Sequence, residues 1–316
     1  MSVALACFSH SPLQLGYVPP ADRAAHDGWQ LALDGLAGWV GDYDPELVVV
    51  FYPDHFNGFF YRSMPSFCIG TEARGGIDWG GQPGPLDVPG DIARDCIAAV
   101  RNAGIDVAVS HRMLVDHGVT LPLKLFCGGV AARPSLPIMV NCNAPPYPSF
   151  ARVRLLGEAV GRFLAGLGKR VLVVGSGGLS HDPPNAGPAM FADGLPERLI
   201  EGGECTEADY DRRQARVIQA GCDLAAGGSP CLAPDAGWDM AFMETLERGE
   251  LDAYDDAEDD ALSAVGGVGV HEVRTWTAAF AAMRAAGRYE ATIDCYFAVP
   301  EWLTGMGIMR AEAADA

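Results

Sequence analysis

Short apolar runs alternate with amphipathic helical stretches along most of this 316-residue chain. Three stretches, at residues 21–40, 91–103 and 150–167, carry apolar residues at helical spacing, and glycines end the second and third. Apolar runs of about six residues are typical of strands buried on both faces of a sheet. The sequence therefore predicts the α/β class, as a three-layer α/β/α arrangement around a central mixed sheet in a single domain, residues 1–316. The predicted strands are residues 3–8, 47–52, 105–109, 136–140, 171–174 and 293–299.

Two regions depart from this alternation. Residues 58–89 are rich in glycine, proline and aromatic residues without a sustained period, and long loops of this kind usually carry function or cover a site. Residues 206–226, 238–249 and 251–263 are predicted to be helical, in an acidic part of the chain. The acidic run at 252–260 lacks the ligand spacing and central glycine of an EF-hand loop, so we interpret it as a solvated face.

The composition excludes several classes of partner. Lys and Arg number 22 against 41 Asp and Glu, which gives a net charge of −19. Such a surface argues against nucleic acid or an anionic membrane as a partner. No apolar run approaches the roughly 18 residues that span a bilayer. The nine cysteines are scattered without a CxxC pair, as in a reducing compartment, so we expect a cytoplasmic protein.

Four of the seven histidines follow apolar runs closely: His10, His55, His117 and His181. Imidazole is both the commonest metal ligand and a proton carrier near neutral pH. Because ligands gather at the carboxyl ends of strands in α/β sheets, His10 and His55 are candidates to share a metal site, and histidines that satisfy turns are the alternative interpretation.

Two neutral imidazoles need a carboxylate to complete such a site. Glu272, which precedes an apolar helical stretch, is one candidate among several acids, although an acid at a helix start also suits the helix dipole. A site of two histidines and one carboxylate suits Fe(II) and oxygen chemistry. The same ligands occur in zinc-dependent hydrolases, and structural histidines in a non-catalytic α/β binding protein are a third interpretation.

Five short motifs, in their order along the chain, resemble one enzyme family. The pattern is similar to that of the class III extradiol ring-cleaving dioxygenases, the superfamily of the protocatechuate 4,5-dioxygenase catalytic subunit, and the resemblance runs from Cys7 to Trp302. The motifs are Pro53-Asp54-His55 before Asn57-Gly58, Val115-Asp116-His117-Gly118, Gly177-Gly178-Leu179-Ser180-His181, Trp238-Asp239, and Glu272 with Trp276 four residues on.

This resemblance implies a site and a reaction. His10, His55 and Glu272 are the implied ligands of an Fe(II) ion. His117 is the implied proton donor and His181 the implied proton acceptor, although sequence order alone would allow these roles to be exchanged. The implied reaction is the cleavage of a 3-substituted catechol by O2, with 2,3-dihydroxyphenylpropionate or 2,3-dihydroxycinnamate as the expected substrate. The family usually forms homo-oligomers.

Other residues near these motifs are candidates to orient the histidines or to bind the substrate. The aspartates Asp54, Asp116 and Asp239 are candidates to orient the imidazoles, or simply to bind loop backbone. A substrate carboxylate would require a cation in the pocket. The candidates for that cation are Arg62, Arg74, Lys124 and Arg274.

Overall fold

The structure is a computed structural model that describes residues 3–79, 82–184, 194–203 and 206–314. The strands are β1 (Val3–Phe8), β2 (Leu47–Tyr52), β3 (Phe67–Gly70), β4 (Ala73–Gly75), β5 (Gly84–Pro85), β6 (Ala108–Ser110), β7 (Met113–Val115), β8 (Ser135–Val140), β9 (Val171–Ser176), β10 (Tyr289–Val299) and β11 (Thr304–Ala313). The α-helices are α1 (Arg23–Tyr43), α2 (Gly90–Asn102), α3 (His117–Phe126), α4 (Phe150–Ala165), α5 (Glu197–Glu201), α6 (Glu207–Ala225), α7 (Ala236–Glu247), α8 (Asp259–Gly266) and α9 (Val273–Ala286).

The central sheet is mixed. Within the described residues it has eight strands, in the order β10-β11-β1-β9-β2-β8-β3-β6. The strands β1, β9, β2 and β8 are parallel, whereas β11 is antiparallel to both β1 and β10, and β3 is antiparallel to β8. A small second sheet joins β5, β4 and β7. The carboxyl ends of β1, β9 and β2 therefore lie side by side at one edge of the sheet.

Both faces of the parallel strands are covered by helices. Along β1, the side chains of Leu5 and Cys7 join one hydrophobic cluster, while those of Ala6 and Phe8 join another. The first cluster packs against α2, α4, α7 and α9, and the second against α1, α3 and α6. This alternation follows from the period of two along a strand. The predicted three-layer α/β/α class with a mixed sheet is confirmed, and it is compatible with a single domain.

Two glycines let α4 and α9 approach closely. A Cβ atom at Gly157 would lie 2.2 Å from the carbonyl oxygen of Ala278, and one at Gly161 would lie 2.1 Å from that of Ala282. Any larger side chain at either position would push the helices apart. The close contact holds α9 against β1 and β9, and it thereby fixes the turn that precedes α9.

Several predicted boundaries differ from the structure. The predicted strand at 105–109 begins three residues before β6, which spans Ala108–Ser110, and the predicted helix at 251–263 is replaced by turns followed by α8. The loop predicted at 58–89 contains β3, β4 and β5, whose glycines obscure the alternation. The helix α3 was not predicted, because it opens on His117-Gly118 and contains Pro122, both of which are signals of a loop.

The acidic run at 252–260 is only partly a solvated face. Asp255 accepts a hydrogen bond from Arg154 at 3.3 Å, and Asp259 forms an ion pair with the buried Arg274.

In the described part of the chain, no helix is both long enough and apolar enough to cross a membrane.

Candidate active site

Three of the four predicted histidines follow adjacent parallel strands. His10 comes two residues after β1, His55 three residues after β2, and His181 five residues after β9, which lies between β1 and β2 in the sheet. Glu272 is in the turn that leads into α9, and α9 packs against the same strands. The sheet edge and α9 therefore bring together residues that are 262 positions apart in sequence, from His10 to Glu272.

The Glu272 carboxylate is the centre of this group. It is 2% exposed, with Oε2 3.1 Å from His10 Nε2 and Oε1 3.1 Å from His55 Nε2. Two ligands that bind one ion at about 2.1 Å and at right angles would be separated by about 3 Å. The distances from Glu272 to His10 and to His55 are therefore of the size expected between two ligands of one metal ion.

His117 reaches the same place from a different element. It is the first residue of α3, directly after β7 and Asp116, and its ring stacks on that of His55 with 4.2 Å between centroids. Donor atoms of His10, His55 and His117 lie within 4.8 Å of one another, so His117 is near enough to act on anything bound at the centre.

All four imidazoles are held through Nδ1. His10 Nδ1 lies 2.8 Å from Ser176 Oγ, and His181 Nδ1 lies 2.7 Å from the carbonyl oxygen of Leu179. The other two bind carboxylates: His55 Nδ1 lies 3.0 Å from Asp116, and His117 Nδ1 is hydrogen-bonded to Asp78. A partner at one ring nitrogen fixes the tautomer and leaves Nε2 for a metal or a proton.

Asp116 binds His55, and not the histidine next to it in sequence. Its buried carboxylate accepts hydrogen bonds from His55 N at 2.7 Å and from the side chain of Asn57 at 3.2 Å, and it caps α3 by accepting from Gly118 N. Burial raises the pKa of this carboxyl, but the charge and hydrogen bonds of His55 outweigh burial and lower the pKa well below its usual range. Asp116 is thus the orienting group that was predicted among the aspartates.

Asp54 instead shapes the loop that carries His55. Its carboxylate accepts hydrogen bonds from the backbone N–H groups of Asn57, Gly58 and Phe59 at 2.9–3.1 Å. A Cβ atom at Gly58 would lie 2.3 Å from the carbonyl oxygen of Leu114, so this turn requires glycine. Burial, together with the charge of Asp116, raises the pKa of Asp54 to about 7.

Asp239 and Gly269 position His181. Asp239 accepts hydrogen bonds from Ser180 N and Ser180 Oγ, both at 2.7 Å, and from Tyr296 Oη at 2.7 Å. A Cβ atom at Gly269 would lie 2.1 Å from His181 Nε2, so only glycine leaves room for this imidazole. The Nε2 atom is 3.5 Å from Glu272 Oε1.

The environment of the site shifts the pKa values of His10, His55 and Glu272 in different directions. Burial is the largest influence on His10 and lowers its pKa to about 4. Burial also acts to lower the pKa of His55, but the carboxylates of Asp116 and Glu272 raise it well above its usual value. For Glu272, burial acts to raise the pKa, yet the imidazoles of His181 and His10 lower it far below its usual range. The centre is therefore a carboxylate facing imidazole nitrogens, a donor set that suits a divalent cation.

A cavity of about 480 Å³ opens over this centre. Its volume is within the range of about 300–1,000 Å³ that is typical of small-molecule sites. Below, the floor of the cavity denotes His10, His55, His117, His181 and Glu272, all of which line it. Phe56, Trp79, Leu199 and Val217 add apolar wall, as an aromatic ring would require.

The four cations considered from sequence do not line this cavity, as far as the described residues show. Arg62 is exposed and forms an ion pair with Glu201, and Arg74 and Lys124 are also exposed. Arg274 is 1% exposed and donates to the carbonyl oxygen of Pro148. In the described part of the chain, the cations that line the cavity are Arg198, which precedes the segment interpreted as acidic, and Arg212, Arg213 and Arg216 within it.

Sequence reasoning missed two partners of the floor. Asp78, in the loop at 58–89, binds His117, and Ser176, the last residue of β9, binds His10. The irregular composition of that loop indicated function but no residue within it. Ser176 carried no signal, because a serine at a strand end is common.

Comparison with known proteins decides the family. The family model for the catalytic LigB subunit of aromatic ring-opening dioxygenase matches residues 4–306. The chain belongs to this family. It is 46% identical over 311 residues to the 2,3-dihydroxyphenylpropionate/2,3-dihydroxicinnamic acid 1,2-dioxygenase of Mycolicibacterium paratuberculosis. This alignment covers 98% of this chain and 99% of the relative. Proteins of the same name from Cupriavidus pinatubonensis (46%, 99% of each chain) and Rhodococcus jostii (45%, 100% of each chain) are also similar.

The predicted family and enzyme class are confirmed. The LigB-family protein is an extradiol ring-cleaving dioxygenase of aromatic catabolism, which implies an aromatic substrate and O2. The comparisons favour neither the zinc-dependent hydrolase nor the binding protein without catalysis. The floor of the cavity is the candidate active site.

Proposed function

We propose that the protein is an Fe(II)-dependent dioxygenase that opens the ring of 2,3-dihydroxyphenylpropionate or 2,3-dihydroxycinnamate beside the diol. The observation that carries the proposal is the approach of His10 Nε2 and His55 Nε2 to the Glu272 carboxylate, at 3.1 Å each, with His117 and His181 in the same cavity. The relatives named after these two substrates match the chain over nearly its full length. The cytoplasmic location and the homo-oligomeric assembly stay predictions.

In this proposal, His10, His55 and Glu272 hold the metal. When bound, Fe(II) supplies the coordination positions and the redox chemistry that ring cleavage by O2 requires. Ser176 and Asp116 hold the Nδ1 atoms of the two histidines, which leaves both Nε2 atoms facing the Glu272 carboxylate, where the ion would bind. The N–H of Gly178 donates to Glu272 Oε2 at 2.7 Å and fixes the orientation of the carboxylate.

His181 and His117 divide the proton transfers. Burial lowers the pKa of His181, and the nearby Glu272 carboxylate more than offsets this, so the net pKa is raised. A basic imidazole at this position suits the removal of a proton from the diol at Nε2. His117 Nδ1 binds the Asp78 carboxylate, which orients the ring with Nε2 free to act as the proposed proton donor in the cavity.

The test uses metal-free protein loaded anaerobically with Fe(II) or, in parallel, with Zn(II). Each sample receives 2,3-dihydroxyphenylpropionate and then O2, and both oxygen uptake and the absorbance of the yellow ring-fission product are followed. We expect one O2 consumed per catechol with Fe(II) and none with Zn(II). If protein with verified Fe(II) occupancy consumes no O2 with any of several 3-substituted catechols, the proposal is refuted.

A further inference from the structure

The cavity concentrates positive charge in a strongly acidic protein. The chain has a net charge of −19, yet α5 and α6 place four arginines on the cavity wall. We refer to Arg198, Arg212, Arg213 and Arg216 as the arginine rim. Among the described residues on this wall, Asp209 is the one acid that α5 and α6 contribute. The rim therefore creates a local positive field above the floor, against the overall charge.

Packing and hydrogen bonds hold the rim in place. Tyr210 Oη donates to Asn57 Oδ1 at 3.4 Å, and Asn57 in turn donates to Asp116, the partner of His55. A Cβ atom at Gly221 would lie 2.2 Å from the carbonyl oxygen of Glu301, so α6 lies directly against the segment before β11. The rim is connected to the floor through these contacts and belongs to the same site.

The four arginines differ in burial and in partners. Arg212 is exposed and forms an ion pair with Asp209 within α6, and Arg216 is exposed. Arg198 and Arg213 are half-buried, and the guanidinium of Arg213 lies over the ring of Tyr210 at 5.9 Å. Partial burial strengthens charge interactions, and the planar fork of a guanidinium matches a carboxylate.

Resting on the proposed function, we propose that Arg198 and Arg213 bind the side-chain carboxylate of the substrate. The floor takes the diol, the apolar wall at Leu199 and Val217 takes the ring and its chain, and the two guanidinium groups receive the carboxylate. An alkyl chain in the same place would desolvate these groups without offering them an acceptor. The rim therefore selects catechols that end in an acid over catechols of the same size that end in a methyl group.

The first test measures binding without metal and without a diol. The probes are 3-phenylpropionate and 3-phenylpropanol, titrated calorimetrically into metal-free protein. We expect the acid to bind more tightly than the alcohol, and Arg198→Gln and Arg213→Gln each to weaken the acid about 10-fold to 100-fold while the alcohol is unaffected. Equal affinity for the two probes in the wild-type protein, or unchanged affinity for the acid in both variants, overturns the proposal.

The matched control is Arg94→Gln, which removes the same charge from an exposed ion pair with Asp91 on α2, outside the cavity lining. We expect it to change the affinity for 3-phenylpropionate less than about 3-fold, because only long-range charge is lost. A loss as large as that of Arg213→Gln would show that net charge alone, and not these two groups, recognises the acid.

The second test uses turnover of the Fe(II)-loaded protein. In Arg198→Gln and Arg213→Gln, kcat/KM for 2,3-dihydroxyphenylpropionate should fall about 10-fold to 100-fold, mainly through KM, while kcat/KM for 3-propylcatechol stays within about 2-fold. Arg213→Lys should restore part of the loss. Equal losses with both catechols indicate a structural role and overturn the proposal. Absence of cleavage with every catechol would refute the proposed function instead, and the binding test would still decide this inference.

Discussion

The floor and the rim of one cavity are built in opposite ways. The floor stands on the ends of buried parallel strands and on α9; each of its imidazoles has an Nδ1 partner, and Glu272 is 2% exposed. The arginine rim stands on the five-residue α5 and on α6, about half of whose described residues are exposed. Chemistry at a metal requires positions fixed to a fraction of an ångström, whereas recognition of a flexible side chain tolerates a softer support.

Removing the shared carboxylate should have the largest effect. Glu272→Ala takes away the group that both His10 Nε2 and His55 Nε2 face at 3.1 Å, so we expect protein without bound metal and without ring cleavage. Metal content after reconstitution and desalting is the measurement. The control is Glu158→Gln on α4, whose carboxylate pairs with Arg154 and lies outside the cavity lining. Full iron occupancy in Glu272→Ala would remove Glu272 from the proposed ligand set.

Substitution of His117 or His181, the proposed proton donor and acceptor, should lower turnover without loss of the metal. We expect His117→Gln and His181→Gln to keep bound iron and to lose about 10²-fold to 10⁴-fold in kcat, since each proposed proton transfer contributes on that scale. Iron analysis beside single-turnover kinetics distinguishes the two effects. Loss of iron in His117→Gln would instead make this residue a ligand, which its 4.2 Å stacking on His55 permits.

Substitution of Asp116 and of Asp78 should separate metal affinity from turnover in the same way. Asp116→Asn should lower metal affinity about 10-fold to 100-fold, because Asp116 orients the proposed ligand His55. Asp78→Asn should lower kcat and leave metal affinity unchanged, because Asp78 binds the proposed proton donor His117. Titration with a competing chelator and steady-state kinetics give the two quantities. The same loss of metal affinity in both variants would contradict the separate roles.

The smallest effects should come from the scaffold beneath the floor. Gly161→Val should lower the free energy of unfolding by about 1–3 kcal/mol, because its side chain would collide with the backbone of α9 at Ala282. Gly35→Ala on α1 is the control, since its Cβ atom meets nothing within 4 Å and a helical alanine should raise stability by about 0.5–1 kcal/mol. Urea unfolding measures both. Equal changes in the two variants would show that the contact between α4 and α9 contributes nothing specific.

Much of the floor could be predicted from the amino-acid sequence. The apolar runs that became β1, β2, β8 and β9 placed His10 and His55 at strand ends, and their family motifs added His117, His181 and Glu272. Strand ends are local features with strong patterns, so sequence describes them well. The helix α3 was missed because glycine and proline are local signals against a helix, whereas the Asp116 cap and burial against the sheet outweigh them.

The partners of these histidines and the source of the cavity's cations were decided by the tertiary structure alone. Asp116 precedes His117 in sequence but binds His55, since neighbouring side chains point apart while strand ends converge. The rim arises in a segment whose composition is acidic, because α6 turns three arginines toward the cavity and, among its described acids, only Asp209. Sequence by itself determined the fold class, the family and the five residues of the floor. Which groups face each other depends on how distant elements pack, and composition and local pattern do not encode that.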